Sequence, residues 1–416
     1  MLFSKQSQNY VKFIYNNFNS CMLKKIINTN SKSIETSFFK KIFKQIKQAE
    51  KYINSDIIQK NITKRQIYID NIKQMRFPSI YNSKFFPEII KKNVEMNTLT
   101  EFEYITKLDN RNIKFYFHTH DSSISYDILD EYVNYMLIWI YVLNLYGENS
   151  CSKTLSIFLF LTDFDKLLPN NNITILSQEQ VNTGYTISCS PSSEIVIYRK
   201  EEWFKVFIHE TFHNFGFDFS TTHHTDFHNK ISKLFPINSH FNLYESYCEV
   251  WARIINACFC SYSILENKNN INEFVSYCDF LLQIERVFSL YQTNKILDYN
   301  GIRYETLYKK DDISITARNN LYKEEANVFA YYIVTSILLN DYSKFLKWCN
   351  KNNFEMIKFN KTPRTLDSFF NFIKSNYNTD TYLESLKCIE KINKKNNIHN
   401  DKFLKETLRM TILEMN

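Results

Sequence analysis

His209-Glu210-Thr211-Phe212-His213 is the stretch on which the reading of this 416-residue chain turns. Two histidines four residues apart fall on one face of an α-helix, one turn from each other, and can grip one metal ion from the same side. Glu210, beside the first histidine, faces the same cleft without being needed as a ligand. The arrangement suits a zinc-activated water with a carboxylate next to it as general base. With nine histidines in the chain, chance predicts H-E-x-x-H only about 0.01 times. A metal site is therefore preferred to an amphipathic helix that happens to carry two histidines. Ile208, Thr211 and Phe212 are uncharged, and Glu201-Glu202 stand about two turns upstream, where carboxylates favour a helix start. Gly216 follows as a normal helix stop.

Catalytic zinc usually has three protein ligands and one open position, so a third ligand must be found. A continuation H-x-x-G-x-x-H would use position 219. Gly216 fits that pattern, but position 219 is Phe219, Asp218 is one residue out of register, and no methionine lies between Met136 and Met356. The metzincin pattern is set aside on these grounds. The polar run Thr221 to His228 offers His223, His224 and His228, but it reads more simply as a solvated loop near substrate. Tyr244-Glu245-Ser246-Tyr247-Cys248-Glu249-Val250-Trp251-Ala252 offers two carboxylates one helical turn apart. Glu245 could reach the metal, and Glu249 could accept the second N–H of a ligating histidine. The plainer alternative is a solvated helix face with Glu249 paired to Arg253.

An H-E-x-x-H followed by a helix with a glutamate and an acidic residue four positions later resembles the gluzincins. The likeness covers His209 to about Ala252. It implies a zincin-like core holding one Zn²⁺ through His209, His213 and Glu245, with Glu249 behind a ligand. It also implies peptide hydrolysis with Glu210 as base, and an oxyanion donor from the C-terminal helical part. Tyr331 is the candidate donor, with Tyr332 and Tyr247 as alternatives. The family binds extended substrate along an edge strand above the cleft. Asn182-Thr183-Gly184-Tyr185 occupies the equivalent place, and Gly184, one of four glycines, suggests either a special backbone need or a hairpin turn. The G-x-M-x-N of the aminopeptidase branch is absent, so an endopeptidase is expected.

Composition bounds the rest. Apolar residues at 44% and charged residues at 23% describe a globular chain with room for two or three packed layers. Glycine and proline are scarce while Asn, Ile, Lys, Phe and Tyr abound. That is the mark of an AT-biased genome, as in many giant viruses and some protists, and it makes lysine-rich stretches weak signals. Nine cysteines without a C-x-x-C read as reduced, buried thiols in an intracellular setting. No signal peptide stands out, and the most apolar stretch, Tyr135 to Leu143, is too short to cross a membrane. A soluble, intracellular protein is expected, in host cytoplasm or virion if viral, and not a secreted one.

Residues 1–100 carry 18 Lys+Arg against 6 Asp+Glu, a net of +12; the whole chain is +7, which leaves −5 for residues 101–416. Phe39, Ile42, Phe43, Ile46, Ala49 and Ile53 recur at helical spacing between Lys40, Lys41, Lys44, Lys47 and Lys51. This predicts a helix packed on the next subdomain with a solvated lysine face, in preference to a nucleic-acid or membrane surface. Residues 72–110 look irregular. Strands are expected over 114–120, 156–161, 181–188 and 194–198, a helix over 127–145, and helices from Glu245 to the end.

The expected architecture is α+β and mainly α-helical. A zincin-like catalytic core with a small mixed β-sheet (111–265) is flanked by a basic helical N-terminal region (1–110) and a helical C-terminal region (266–416). The expected function is zinc-dependent peptide hydrolysis on a peptide or protein substrate, with no nucleic-acid partner. The alternative is an inactive metallopeptidase-like structural or binding protein, possibly virion-associated.

Overall fold

A computed structural model of the chain describes residues 3–22, 29–121, 124–395 and 402–415. Helices dominate, and the strands form one mixed sheet of six in the order β1-β2-β3-β4-β6-β5. The strands are β1 (Thr63–Tyr68), β2 (Thr100–Leu108), β3 (Arg111–Thr119), β4 (Thr154–Thr162), β5 (Gly184–Thr186) and β6 (Ser192–Arg199). β1, β2 and β3 pair antiparallel, β3, β4 and β6 run parallel, and β5 closes the edge antiparallel to β6. Alternation along the central strands explains how they bury both faces. Phe115, Phe117, Ile157, Leu159, Ile195 and Ile197 face the helices Tyr126–Asn144 and Trp203–Asn214 within the main core. Tyr116, Phe158, Phe160, Val196 and Tyr198 face the other way, beneath Tyr81, Phe86, Ile90 and Val94.

Several expectations need correction. Residues 72–110 are not irregular throughout, since they contain the helix Glu88–Asn97 and all of β2. The sheet includes β1 and β2 as well as the strands after residue 110, with the β2–β3 turn at Asp109-Asn110. Helix does not reach the end of the chain. After Lys402–Glu406 the described backbone is irregular, with isolated bridges at Thr407 and Met415, and Leu408, Met410, Ile412 and Leu413 are buried. Four cysteines are paired, Cys21 with Cys388 and Cys151 with Cys189, while Cys248, Cys258, Cys260, Cys278 and Cys349 are free and buried. The cysteine argument for an intracellular setting therefore falls. Separations of 367 and 38 residues carried no signal of pairing.

The basic N-terminal helix packs as its spacing predicts. It spans Thr29–Ile53, with Phe39, Ile42, Phe43, Ile46, Ala49 and Ile53 buried and Lys40, Lys41, Lys44 and Lys51 exposed. It packs against Tyr126–Asn144, Ile271–Tyr299 and Tyr342–Asn352. Among the described residues no helix is long and apolar enough to cross a membrane.

Candidate metal centre

β6 turns through Lys200-Glu201-Glu202 into the helix Trp203–Asn214, which carries His209, Glu210 and His213. Every residue of that helix is buried, as an element wedged between a sheet and another helix must be. Thr211 is held at its back, where Trp139 Nε1 donates to Oγ1 at 2.8 Å. Gly216, at φ +70°, ends the helix. Its N–H donates to the His213 carbonyl and the Phe217 N–H to the Phe212 carbonyl, the paired bonds of a Schellman stop. Glu201 and Glu202 do not cap the start. Both are buried: Glu202 meets Lys166 and accepts from the Met410 and Thr411 N–H groups, while Glu201 meets the Lys166 N–H and Arg409. Residues from the end of the chain thus brace the start of this helix.

The helix Tyr244–Ser263 packs across it. Its first turn brings Glu245 to the two histidines. His209 Nε2 lies 3.1 Å from Glu245 Oε2, His213 Nε2 lies 3.4 Å from the same oxygen, and the two Nε2 atoms are 3.2 Å apart. Tetrahedral zinc with bonds of about 2.0–2.1 Å places its donors about 3.3 Å from one another. Two imidazole nitrogens and one carboxylate oxygen in this triangle could hold such an ion. None of the three is fully withdrawn from the cleft.

Each histidine is also gripped through its other ring nitrogen. Glu249 Oε2 lies 3.2 Å from His209 Nδ1, and Asp218 Oδ2 contacts His213 Nδ1. A carboxylate at Nδ1 leaves Nε2 as the atom free to ligate an ion. Glu249 is fixed in turn by Lys205 Nζ, 3.1 Å from both its oxygens, and by Arg253 Nε at 2.9 Å. The pairing with Arg253 and the contact with the histidine therefore coexist. Burial opposes ionisation of Glu249, but Lys205 and His209 more than offset it and hold the carboxyl well below its ordinary range. Glu245 is likewise held low by His213 and His209 against the effect of burial. Burial raises Glu210, moderated by the two histidines.

Asp218 was missed as an orienting residue. It stands five residues after His213, beyond the helix stop at Gly216, out of register for a ligand on the helix face, so its spacing carries no signal. Asp218 and Cys248 form a second candidate group with His213, in which burial pushes the Cys248 thiol up.

Tyr331 sits in a π-helical turn, Phe329–Val334, and its hydroxyl donates to Glu245 Oε2 at 2.9 Å. Such turns often mark functional positions. The alternatives point elsewhere: Tyr332 bonds the Leu408 carbonyl and Tyr247 the Ile357 carbonyl. A cleft of about 520 Å³ contains His209, Glu210, His213, Glu245 and Tyr331, and Asn182, Gly184 and Tyr185 line its wall. Of the expected substrate strand only Gly184 and Tyr185 are in β5; Asn182 precedes it and its carbonyl accepts from Arg199. The Tyr185 side chain turns away to donate to the Ile80 carbonyl. Gly184 is neither a hairpin turn nor a positive-φ position. A Cβ there would meet the Val196 carbonyl at 2.7 Å and Val206 Cγ1 at 3.0 Å, so close approach demands glycine.

No protein-family model matches the chain, and no curated protein or solved structure does either.

Proposed function

We propose that the chain is a zinc-dependent peptidase with a zincin-like core resembling the gluzincins. The observation that carries this reading is the donor triangle of His209 Nε2, His213 Nε2 and Glu245 Oε2, with sides of 3.1 to 3.4 Å, beside Glu210 in an open cleft. A zinc ion held there would polarise a carbonyl and acidify a water. Glu210 takes the proton of the water that attacks the peptide carbonyl and returns it to the departing amine. Tyr331 can turn its hydroxyl from Glu245 to the oxyanion that forms on the carbonyl. The edge strand β5 pairs with an extended peptide backbone and lays it across the metal site.

Cleavage of a mixed peptide library by the zinc-loaded full chain tests this. The wild type is expected to cut, and Glu210→Gln to retain zinc while losing at least about 100-fold in rate. A Glu210→Gln protein that cuts normally would overturn the mechanism. A zinc-loaded wild type that cuts nothing would favour the inactive binding protein.

A further inference from the structure

The wall of the cleft beyond β5 is built by an irregular segment, residues 78–87, that crosses the sheet on the side away from the metal-site helix. The sheet edge fixes it at several points. Tyr185 Oη donates to the Ile80 carbonyl at 3.1 Å, Tyr198 Oη to the Phe85 carbonyl at 3.3 Å, and Ser79 Oγ to Glu194 at 2.7 Å. Phe86 is buried and stacks on Tyr198 with centroids 5.0 Å apart. Its neighbour Phe85 is 39% exposed and lines the cleft together with Lys84, whose Nζ lies 5.4 Å from the ring centroid. A single exposed phenylalanine is unremarkable by itself. This one is held rigidly by backbone bonds and a buried neighbour, and it faces the opening that holds the metal site.

The side-chain alternation of β5 decides what Phe85 meets. Gly184 and Thr186 face the metal-site helix, the first against Val206 and the second bonded to Asn214. Tyr185 faces the opposite side, with its ring 6.4 Å from that of Phe85. A peptide added to the outer edge of β5 continues this alternation, so alternate side chains turn toward the segment that carries Phe85. We propose that Phe85, backed by Lys84, sets the specificity of the cleft by receiving a large apolar or aromatic side chain of the substrate. The proposal rests on the peptidase reading above. A preformed aromatic surface beside the strand gives such a residue an apolar contact without a cost of ordering the site.

The test is cleavage-site profiling of one peptide library by zinc-loaded wild type, Phe85→Ala and Phe85→Leu, with Glu210→Gln as the blank and zinc content as the control for folding. The wild type is expected to prefer Phe, Tyr, Leu or Met at one position. Phe85→Ala should lose about 10–100-fold in kcat/KM on those peptides and keep its rate on peptides with Gly or Ala there. Phe85→Leu should keep most of the preference. An unchanged profile in Phe85→Ala overturns the subsite while the peptidase reading stands, and so does an equal fall on all peptides. Absence of any Glu210-dependent cleavage by the wild type overturns the peptidase reading and the subsite with it.

Discussion

Glu249 and Asp218 each hold one histidine from behind, and each does so from a buried position. Replacing either carboxylate leaves the three donor atoms in place but frees the ring that carries one of them. Glu249→Gln and Asp218→Asn should each weaken zinc binding about 10–100-fold, measured by competition with a chelator. Unchanged affinity in both would show that packing alone orients the rings. A different carboxylate, Glu324, couples stability to pH. Burial pushes the Glu324 pKa up to about 8, although its Oε2 accepts from the Phe329 N–H at 2.7 Å. The folded chain keeps this proton to about pH 8, whereas an unfolded glutamate releases it near 4.5. Between those values the folded state binds more protons, so stability falls as pH rises through the window. Glu324→Gln keeps an acceptor for Phe329 and should remove a loss on the order of 2–4 kcal/mol between pH 5 and 8. Parallel thermal-melt curves for the two proteins across that range would contradict this.

Local pattern made the central elements legible. The alternation of Ile195 and Ile197 with Val196 and Tyr198 predicts β6, and the apolar run ending at Leu161 predicts β4. The helical spacing of Phe39 to Ile53 predicts both the helix and its buried stripe. His209, Glu210, His213, Glu245 and Tyr331 were named from spacing and resemblance, and they line one cleft. What was not legible depends on contacts between distant segments. β1 and β2 are polar at many positions and gain their place by pairing with β3 and each other. The last described residues are held through N–H groups that donate to Glu202 and Glu285, far away in sequence. Glu201 and Glu202 look like helix-start acids, yet they serve a buried ionic cluster. Gly184 belongs to the same class, because its need is set by β6 and the metal-site helix. Gly184→Ala should push β5 from its neighbours and destabilise the fold by about 1–3 kcal/mol, read from denaturant unfolding. A change within about 0.5 kcal/mol would mean that the edge relaxes freely.

At the scale of the molecule, the helix Trp203–Asn214 is held by segments drawn from most of the chain. The sheet lies on one side of it and the glutamate helix on another, while the end of the chain braces its start. Cys151–Cys189 and the Cys189 N–H, which donates to the His213 carbonyl at 3.0 Å, secure its far end. The first and last long helices are joined through Cys21 and Cys388. This bracing holds the three candidate donors at fixed separation, the preorganisation that a metal site requires. Metal content of the purified full chain after zinc reconstitution, measured by mass spectrometry, tests the central claim most directly. The donor triangle predicts about one zinc per chain in the wild type and in Glu210→Gln, and its loss in His213→Ala and Glu245→Ala. A wild type that takes up no zinc, or a Glu245→Ala protein that retains it stoichiometrically, would contradict the account.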